Sequence, residues 1–298
     1  MTAFDKHQVS CFHFVRCTFD ADSGVAQLVY AFDDGPQMVE TITVPGAPFV
    51  LEGERAEAVQ RALQLLHLIA GVSYYKAAVP DAVQIDSYAI DAATAALVEL
   101  VYLNGLGEFA YRNGLDLRGR FRLPVQASPV QAAAVGLRPH ALVAIGGGKD
   151  SLVSIEALRR AGVDATVTWI GGSQLIRACA ERTGLPVLNL GRALAPELFE
   201  LNRQGAWNGH IPVTAVNSAI MVLAALLQGD DQVVFSNERS ASYGSQIPGT
   251  GEVNHQWSKG WAFEQAFGNH VQKQVAADLQ YYSLLRPMSE LAVARQFA

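Results

Sequence analysis

The sequence predicts an α/β protein in two parts: a parallel-sheet domain over residues 140–298, preceded by a smaller α+β domain over residues 1–122. Three observations carry this. From residue 140 onward, apolar runs of strand length alternate with helical segments. One of these runs ends in three glycines that open a helix. Before residue 122, strands come first and helices follow, which is α+β order.

The N-terminal stretches "CFHFVRCTFD", "VAQLVYAFDD" and "QMVETITVPG" are rich in aromatic and β-branched residues. "ADSG" and "DDGP" between them are turn chemistry, so an antiparallel meander is expected. Residues 54–70 and 91–114 have helical periodicity. Residues 123–139 hold three prolines and no clear period, and are expected to be a linker. Strands follow at 141–147, 165–172, 186–191 and 232–237, with helices at 149–161, 173–183 and 213–228. Unbroken Val/Ile/Leu runs belong to strands covered on both faces, hence a parallel sheet. The final "SELAVARQFA" suits a helix capped by Ser289. It stops without a closing glycine or polar tail. A fragment, or a helix that needs a partner, is expected.

The 298 residues are half apolar and 17% charged, a globular composition. A net charge of −6 and no lysine/arginine block argue against a nucleic-acid partner. Cys11, Cys17 and Cys179 are odd in number and form no C-x-x-C. That disfavours a disulfide frame or zinc clasp and suits a reducing compartment. The N-terminus lacks a basic stretch followed by an apolar one. The longest apolar stretch, residues 215–227, contains Asn217 and Ser218 and falls short of the roughly 20 residues that span a bilayer. A cytoplasmic location with no membrane partner is expected. Oligomeric state is not legible.

Three templates compete for "GGGKDS". A Walker A loop, G-x-x-x-x-G-K-[ST], fails because Val143 stands at its first glycine and Asp150 at its Ser/Thr. The dinucleotide fingerprint G-x-G-x-x-G fits Gly146 and Gly148 but meets Ser151 at its third glycine. The pattern S-G-G-x-D-S is matched by Gly147, Gly148, Asp150 and Ser151, with Lys149 in the variable slot and Gly146 in place of the first serine. This resembles the PP-loop ATP pyrophosphatases, which are adenine nucleotide alpha-hydrolase-like. The resemblance implies cleavage of ATP to AMP and pyrophosphate with Mg²⁺. Glycines let backbone N–H groups converge on an anion at a helix N-terminus. Lys149 supplies a full positive charge, and Ser151 can donate to a phosphate oxygen. Asp150 would repel phosphate alone, so it is expected to hold loop amides or the metal. The plain alternative is a tightly packed strand-to-helix turn.

Other candidates follow later strands. Trp169, in "WIGG", is a candidate adenine platform or a core residue. "SNERSAS" turns abruptly polar after a strand, presenting Asn237, Glu238, Arg239 and Ser240 where ligands of open α/β sheets sit. "GTGEVNHQWSKGWAFEQAF" (249–267) adds His255 and Lys259, with Ser258 as a possible helix cap. A solvated loop is the bland reading of either. His13, His67 and His140 have structural readings, and His210 in "NGHIP" is ambiguous.

Together, "AIGGGKDSLVSIE", "SNERSAS" and "NHQWSKG" resemble the bacterial UDP-N-acetylmuramoyl-L-alanyl-L-glutamate epimerase family, MurL. The resemblance implies ATP- and Mg²⁺-dependent inversion of the terminal glutamate of UDP-MurNAc-L-Ala-L-Glu, in peptidoglycan synthesis. It also implies that a C-terminal part found in such proteins is missing here. On this reading residues 146–151 bind phosphates. Asn237 and Ser240 shape the nucleotide junction. Glu238, Arg239, His255 and Lys259 are the catalytic candidates. Rival expectations are an amidating ligase or tRNA-modifying enzyme with the same loop, and a nucleotide sensor that never turns over ATP.

Overall fold

Aromatic alternation builds the first sheet segment. In the computed structural model, which describes residues 4–247 and 251–298, β1 (Cys11–Asp20), β2 (Val25–Phe32) and β3 (Met38–Thr43) form the expected antiparallel meander. Phe12 and Phe14 share one face of β1 and are fully buried, as period-two alternation requires. Then come α1 (Gly53–Ala70), α2 (Val72–Tyr75) and β4 (Ala82–Ile85), which pairs parallel to β1 at the sheet edge. The periodic stretch 91–114 is two helices, α3 (Ala92–Gly105) and α4 (Gly107–Asn113). The Asp91 carboxylate caps α3 by accepting from Thr94 N–H at 2.8 Å.

Strands and helices alternate next: β5 (Arg138–Ala144), α5 (Lys149–Arg160), β6 (Ala165–Ile170), α6 (Gln174–Arg182), β7 (Val187–Ala193) and α7 (Pro196–Arg203). The apolar α8 (Val213–Gln228) is buried along most of its length and packs on α1. It ends at Gly229 in the left-handed conformation, φ 80°, which glycine adopts without steric cost. β8 (Asp230–Phe235) follows, then a hairpin of β9 (Ser245–Ile247) and β10 (Gly251–Val253). The chain closes with α9 (Trp261–His270), β11 (Gln280–Ser283) and α10 (Glu290–Phe297). Ser289 caps α10 as expected, accepting from Ala292 N–H at 3.3 Å. Ser258 does not cap α9. It is buried in a short 3₁₀ turn, and Gly260 holds the cap position.

The strands form one mixed, mostly parallel nine-stranded sheet in the order β11-β8-β5-β6-β7-β3-β2-β1-β4. β3 pairs antiparallel with β7, so the meander and the parallel strands are continuous. Residues 123–139 therefore do not divide two sheets. They run extended, and the Asp278 carboxylate accepts from the N–H groups of Val135, Gly136 and Leu137 at 2.9–3.1 Å. Prolines and lost periodicity report the local backbone only; they do not report which strands pair across it. One apolar cluster spans both halves, joining Phe12 and Tyr30 to Leu223 and Phe263. Where the halves meet, Arg192 on β7 grips Glu40 on β3, Nε to Oε1, at 2.7 Å.

Candidate functional site

Counted from β5, the parallel strands run in the order 3-2-1-4-5. This is the doubly wound arrangement, in which ligands bind beyond the carboxyl ends of the strands where the order reverses. Here the reversal lies between β5 and β8, which are direct neighbours. The glycine loop leaves β5 and the "SNERSAS" turn leaves β8, so topology alone brings the first two motifs together.

The loop geometry suits an anion. Gly147 has φ 78°, a conformation that disfavours any side chain. A Cβ at Gly146 or Gly148 would meet nothing within 4 Å, so both present open backbone. Gly148 begins α5 with no side-chain cap, which leaves first-turn N–H groups available. Lys149 Nζ lies 3.2 Å from Asp150 Oδ1 and 3.5 Å from Glu290 Oε1. The hydrogen bond to Asp150, then its charge, raises the pKa of Lys149, so the amine stays charged.

Side chains from all three motifs line one cleft of about 410 Å³: Lys149, Asp150, Glu238, Ser240, His255 and Lys259, with Glu290 at the rim. Among the described residues the buried Ser236 Oγ at these strand ends has no hydrogen-bond partner, and the buried Asp150 Oδ1 meets only Lys149 Nζ, at 3.2 Å. Buried polar atoms with so few protein partners are available to a polar ligand. Among the described residues no group of three or more His, Cys, Asp or Glu side chains converges. Mg²⁺ is compatible with that, since it usually takes one or two carboxylates plus phosphates and water.

Ser151, Trp169, Asn237 and Arg239 do not line the cleft. The Ser151 hydroxyl is turned inward and donates to Gly148 C=O at 3.0 Å. Trp169 is 6% exposed and packs in the core with Val143 and Leu158, so it offers no face to an adenine. Trp169 shares its face of β6 with Ala165 and Val167, the face that packs into that core, while Thr166 and Thr168 alternate on the other. Asn237 donates to Ser283 Oγ at 3.1 Å, tying β8 to β11. Glu238 accepts from both Ser240 N–H and Ser240 Oγ at 2.6 Å and so caps its own turn. The Arg239 side chain is exposed, while its N–H donates to Met288 C=O at 3.0 Å. His255 contacts Gln256 and lies 6.1 Å, ring to ring, from His210. Of the 249–267 cluster, Asn254, His255, Gln256 and Lys259 line the cleft; residues 249 and 250 lie outside the described residues.

Sequence reasoning missed Arg286. Its guanidinium pairs with Glu264 at 2.6 Å and donates to Glu238 C=O at 3.0 Å and Lys259 C=O at 2.7 Å. One buried cation thus ties together the turn after β8, the turn before α9, and α9 itself. Its "RPMS" context gives no hint of this, because its partners lie 22 to 48 residues away. The remaining histidines are structural. His13 pairs with Asp86 at 3.1 Å, His140 bonds Thr166 Oγ1 at 2.9 Å, and His67 is fully buried.

A model of the MurL N-terminal domain matches residues 3–284. The chain belongs to this MurL family. A protein from Xanthomonas oryzae pv. oryzae (strain MAFF 311018), named UDP-N-acetyl-alpha-D-muramoyl-L-alanyl-L-glutamate epimerase, is 81% identical over the whole chain. Proteins of the same name from Salinispora tropica and a Micromonospora species are 43% and 42% identical over 98% of the chain. The chain spans only 66% of the Xanthomonas relative's length and 65–66% of the other two. Among the described residues no helix is long and apolar enough to cross a membrane.

Proposed function

We propose that this MurL-family protein takes part in inverting the terminal L-glutamate of UDP-MurNAc-L-Ala-L-Glu to D-glutamate, with ATP and Mg²⁺, in cytoplasmic peptidoglycan precursor synthesis. The observation that carries the reading is the convergence of Lys149, Asp150, Glu238, Ser240, His255 and Lys259 on one cleft at the sheet's reversal point. The relatives' names support the substrate.

The chemistry explains why a phosphate loop belongs in an epimerase. A carboxylate makes the adjacent Cα–H a poor acid, because deprotonation adds a second negative charge beside the first. In the proposed route a carboxylate oxygen attacks the α-phosphorus of ATP and pyrophosphate leaves. The resulting acyl adenylate carries no carboxylate charge, so the α-proton becomes removable. Return of a proton to the opposite face inverts the centre. Water then cleaves the acyl–phosphate bond and releases AMP.

The chain's own groups divide this work. The open N–H groups of residues 146–148 and the first turn of α5 accept phosphate, and Lys149 neutralises charge. Asp150 would hold Mg²⁺, which would offset charge on the phosphates. Lys259 brings further positive charge to developing oxyanions within the cleft. His255 and Lys259 are the proton carriers within the cleft.

The test is chiral analysis of glutamate after incubating the purified protein with UDP-MurNAc-L-Ala-L-Glu, ATP and Mg²⁺, with the Xanthomonas relative in parallel. ATP-dependent D-glutamate with release of pyrophosphate is expected. Absence of D-glutamate here, against its formation by the relative, rejects the reading.

A further inference from the structure

A second cavity, of about 570 Å³, adjoins the cleft. It lies between α3, α4 and the residues after α4 on one side and residues 253–262 on the other. Asn254 borders both spaces, and its amide donates to Ala241 C=O at 3.3 Å. The two spaces differ in character. The cleft is lined mainly by charged and polar side chains. The second cavity has aromatic walls, Tyr111, Trp257 and Trp261, with Asn104, Asn254 and Arg118 among them.

Two of those rings are unusually open. Tyr111 is 50% exposed and Trp261 is 49% exposed, and among the described residues neither stacks on another ring. Large exposed aromatic faces beside polar groups suit a ligand with flat or CH-bearing faces and a polar rim. Asn104, Asn254 and Arg118 add polar groups to these walls, each already partly engaged, by Leu100 C=O, Ala241 C=O and Asp116. Arg118 lies at the cavity edge with its side chain 83% exposed; Asp116 occupies its Nε and Nη2 at 2.7–3.2 Å, and its Nη1 can still donate to a phosphate.

We propose that this cavity binds the nucleoside diphosphate–sugar end of the substrate, with the base or sugar ring stacked on Tyr111 and Trp261. This rests on the proposed function. It assigns the substrate's far end to the aromatic cavity and the reacting carboxylate to the charged cleft, with Asn254 between them. Binding energy from the far end then positions the glutamate beside the glycine loop.

The experiment is calorimetric titration of the 298-residue chain with UDP-N-acetylmuramic acid and, separately, with ATP. Trp261→Ala, Tyr111→Ala and the conservative Trp261→Phe are compared, with circular dichroism to confirm folding. Loss of a stacking ring is expected to weaken UDP-N-acetylmuramic acid at least about tenfold, with Trp261→Phe near wild type. ATP affinity should stay within about twofold of wild type in all three variants, since the rings lie outside the cleft. Wild-type affinity for the UDP-sugar in both alanine variants overturns the proposal. So does a wild-type chain that binds ATP but no UDP-sugar, and the cleft assignment survives that result. Normal UDP-sugar binding without any D-glutamate formation counts against the proposed function and leaves the cavity assignment standing.

Discussion

Two largely buried arginines pair with buried carboxylates, and they serve different regions. Arg192 grips Glu40 at 2.7 Å where β7 meets β3, with side chains 13% and 0% exposed. Arg286 grips Glu264 at 2.6 Å beneath the cleft, with side chains 12% and 4% exposed. The pairs match in geometry and burial. Their other bonds differ. The remaining bond of Arg192 goes to Ser73 Oγ at 3.3 Å, within the packed seam. Arg286 spreads over the backbone carbonyls of Glu238 and Lys259 and reaches Ser242 Oγ at 3.4 Å. One pair joins two halves of a sheet. The other sets the shape of two loops that carry site residues. A buried ion pair is weak evidence of net stability, because desolvation offsets attraction. What distinguishes these two is what each one holds in place.

Removing one partner of each should give the largest effects. Arg192→Met and Arg286→Met each leave a buried carboxylate uncompensated and should cost about 3–5 kcal/mol of stability in chemical denaturation. Only Arg286→Met should also change nucleotide affinity when both are assayed well below their melting temperatures. Equal loss of nucleotide binding in Arg192→Met would erase the distinction between seam and site.

Asp150→Ala sharpens the same contrast from the opposite side. Its side chain is 41% exposed and pairs only with its neighbour Lys149. Stability should therefore move by less than about 0.5 kcal/mol. Pyrophosphate release should fall about 100-fold, or ~2.7 kcal/mol of transition-state stabilisation. Unchanged release would remove Asp150 from the phosphate chemistry.

The histidines extend the comparison to pH. His67 lies in the shared core with both ring nitrogens engaged, to Tyr88 Oη at 2.9 Å and Val29 C=O at 3.0 Å. His270 is also buried, near Asp91. Burial pushes both down to about 4, outweighing the Val29 hydrogen bond in one case and the Asp91 charge in the other. The unfolded chain binds these protons at about 6.5. Between these values the unfolded state holds more protons than the folded one. The stabilisation is therefore complete above about pH 6.5 and is lost as pH falls toward 4. At pH 5 the loss is about 2 kcal/mol per histidine. Melting temperature followed from pH 7 to 5 should fall, and His270→Leu should fall less steeply. An unchanged slope would show that carboxylates elsewhere set the acid limit.

Local pattern made much of this legible. The meander, α1, the alternating strands and the Ser289 cap all follow from periodicity and turn chemistry. The cleft residues Lys149 and Glu238 were legible because glycine or abrupt polarity follows an apolar strand, and His255 because polar residues crowd before a helix. The β3–β7 seam was not legible. Its Thr43–Gly191 register joins residues 148 apart in sequence, and neither strand's pattern names its neighbour. Arg286 was hidden for the same reason. Trp169 shows a different limit: its strand is covered on both faces, so composition does not say which side chain reaches the strand's open end.

The smallest expected effect concerns Glu290, which no motif contains. It opens α10 and sits 3.5 Å from Lys149 Nζ, with its side chain 70% exposed. A phosphate arriving at the glycine loop must compete with it for that lysine. Exposed pairs of this kind hold weakly and are screened by salt. Glu290→Gln should therefore leave the melting temperature unchanged within about 1 °C. It should tighten ATP binding by only about two- to threefold at low salt. At roughly 0.5 M salt the gain should vanish, because screening then acts over only a few ångströms. A gain that persists in high salt would mean that Glu290 blocks the loop sterically. Its charge would then be incidental, and the C-terminal helix would belong with the site's walls and not with its electrostatics.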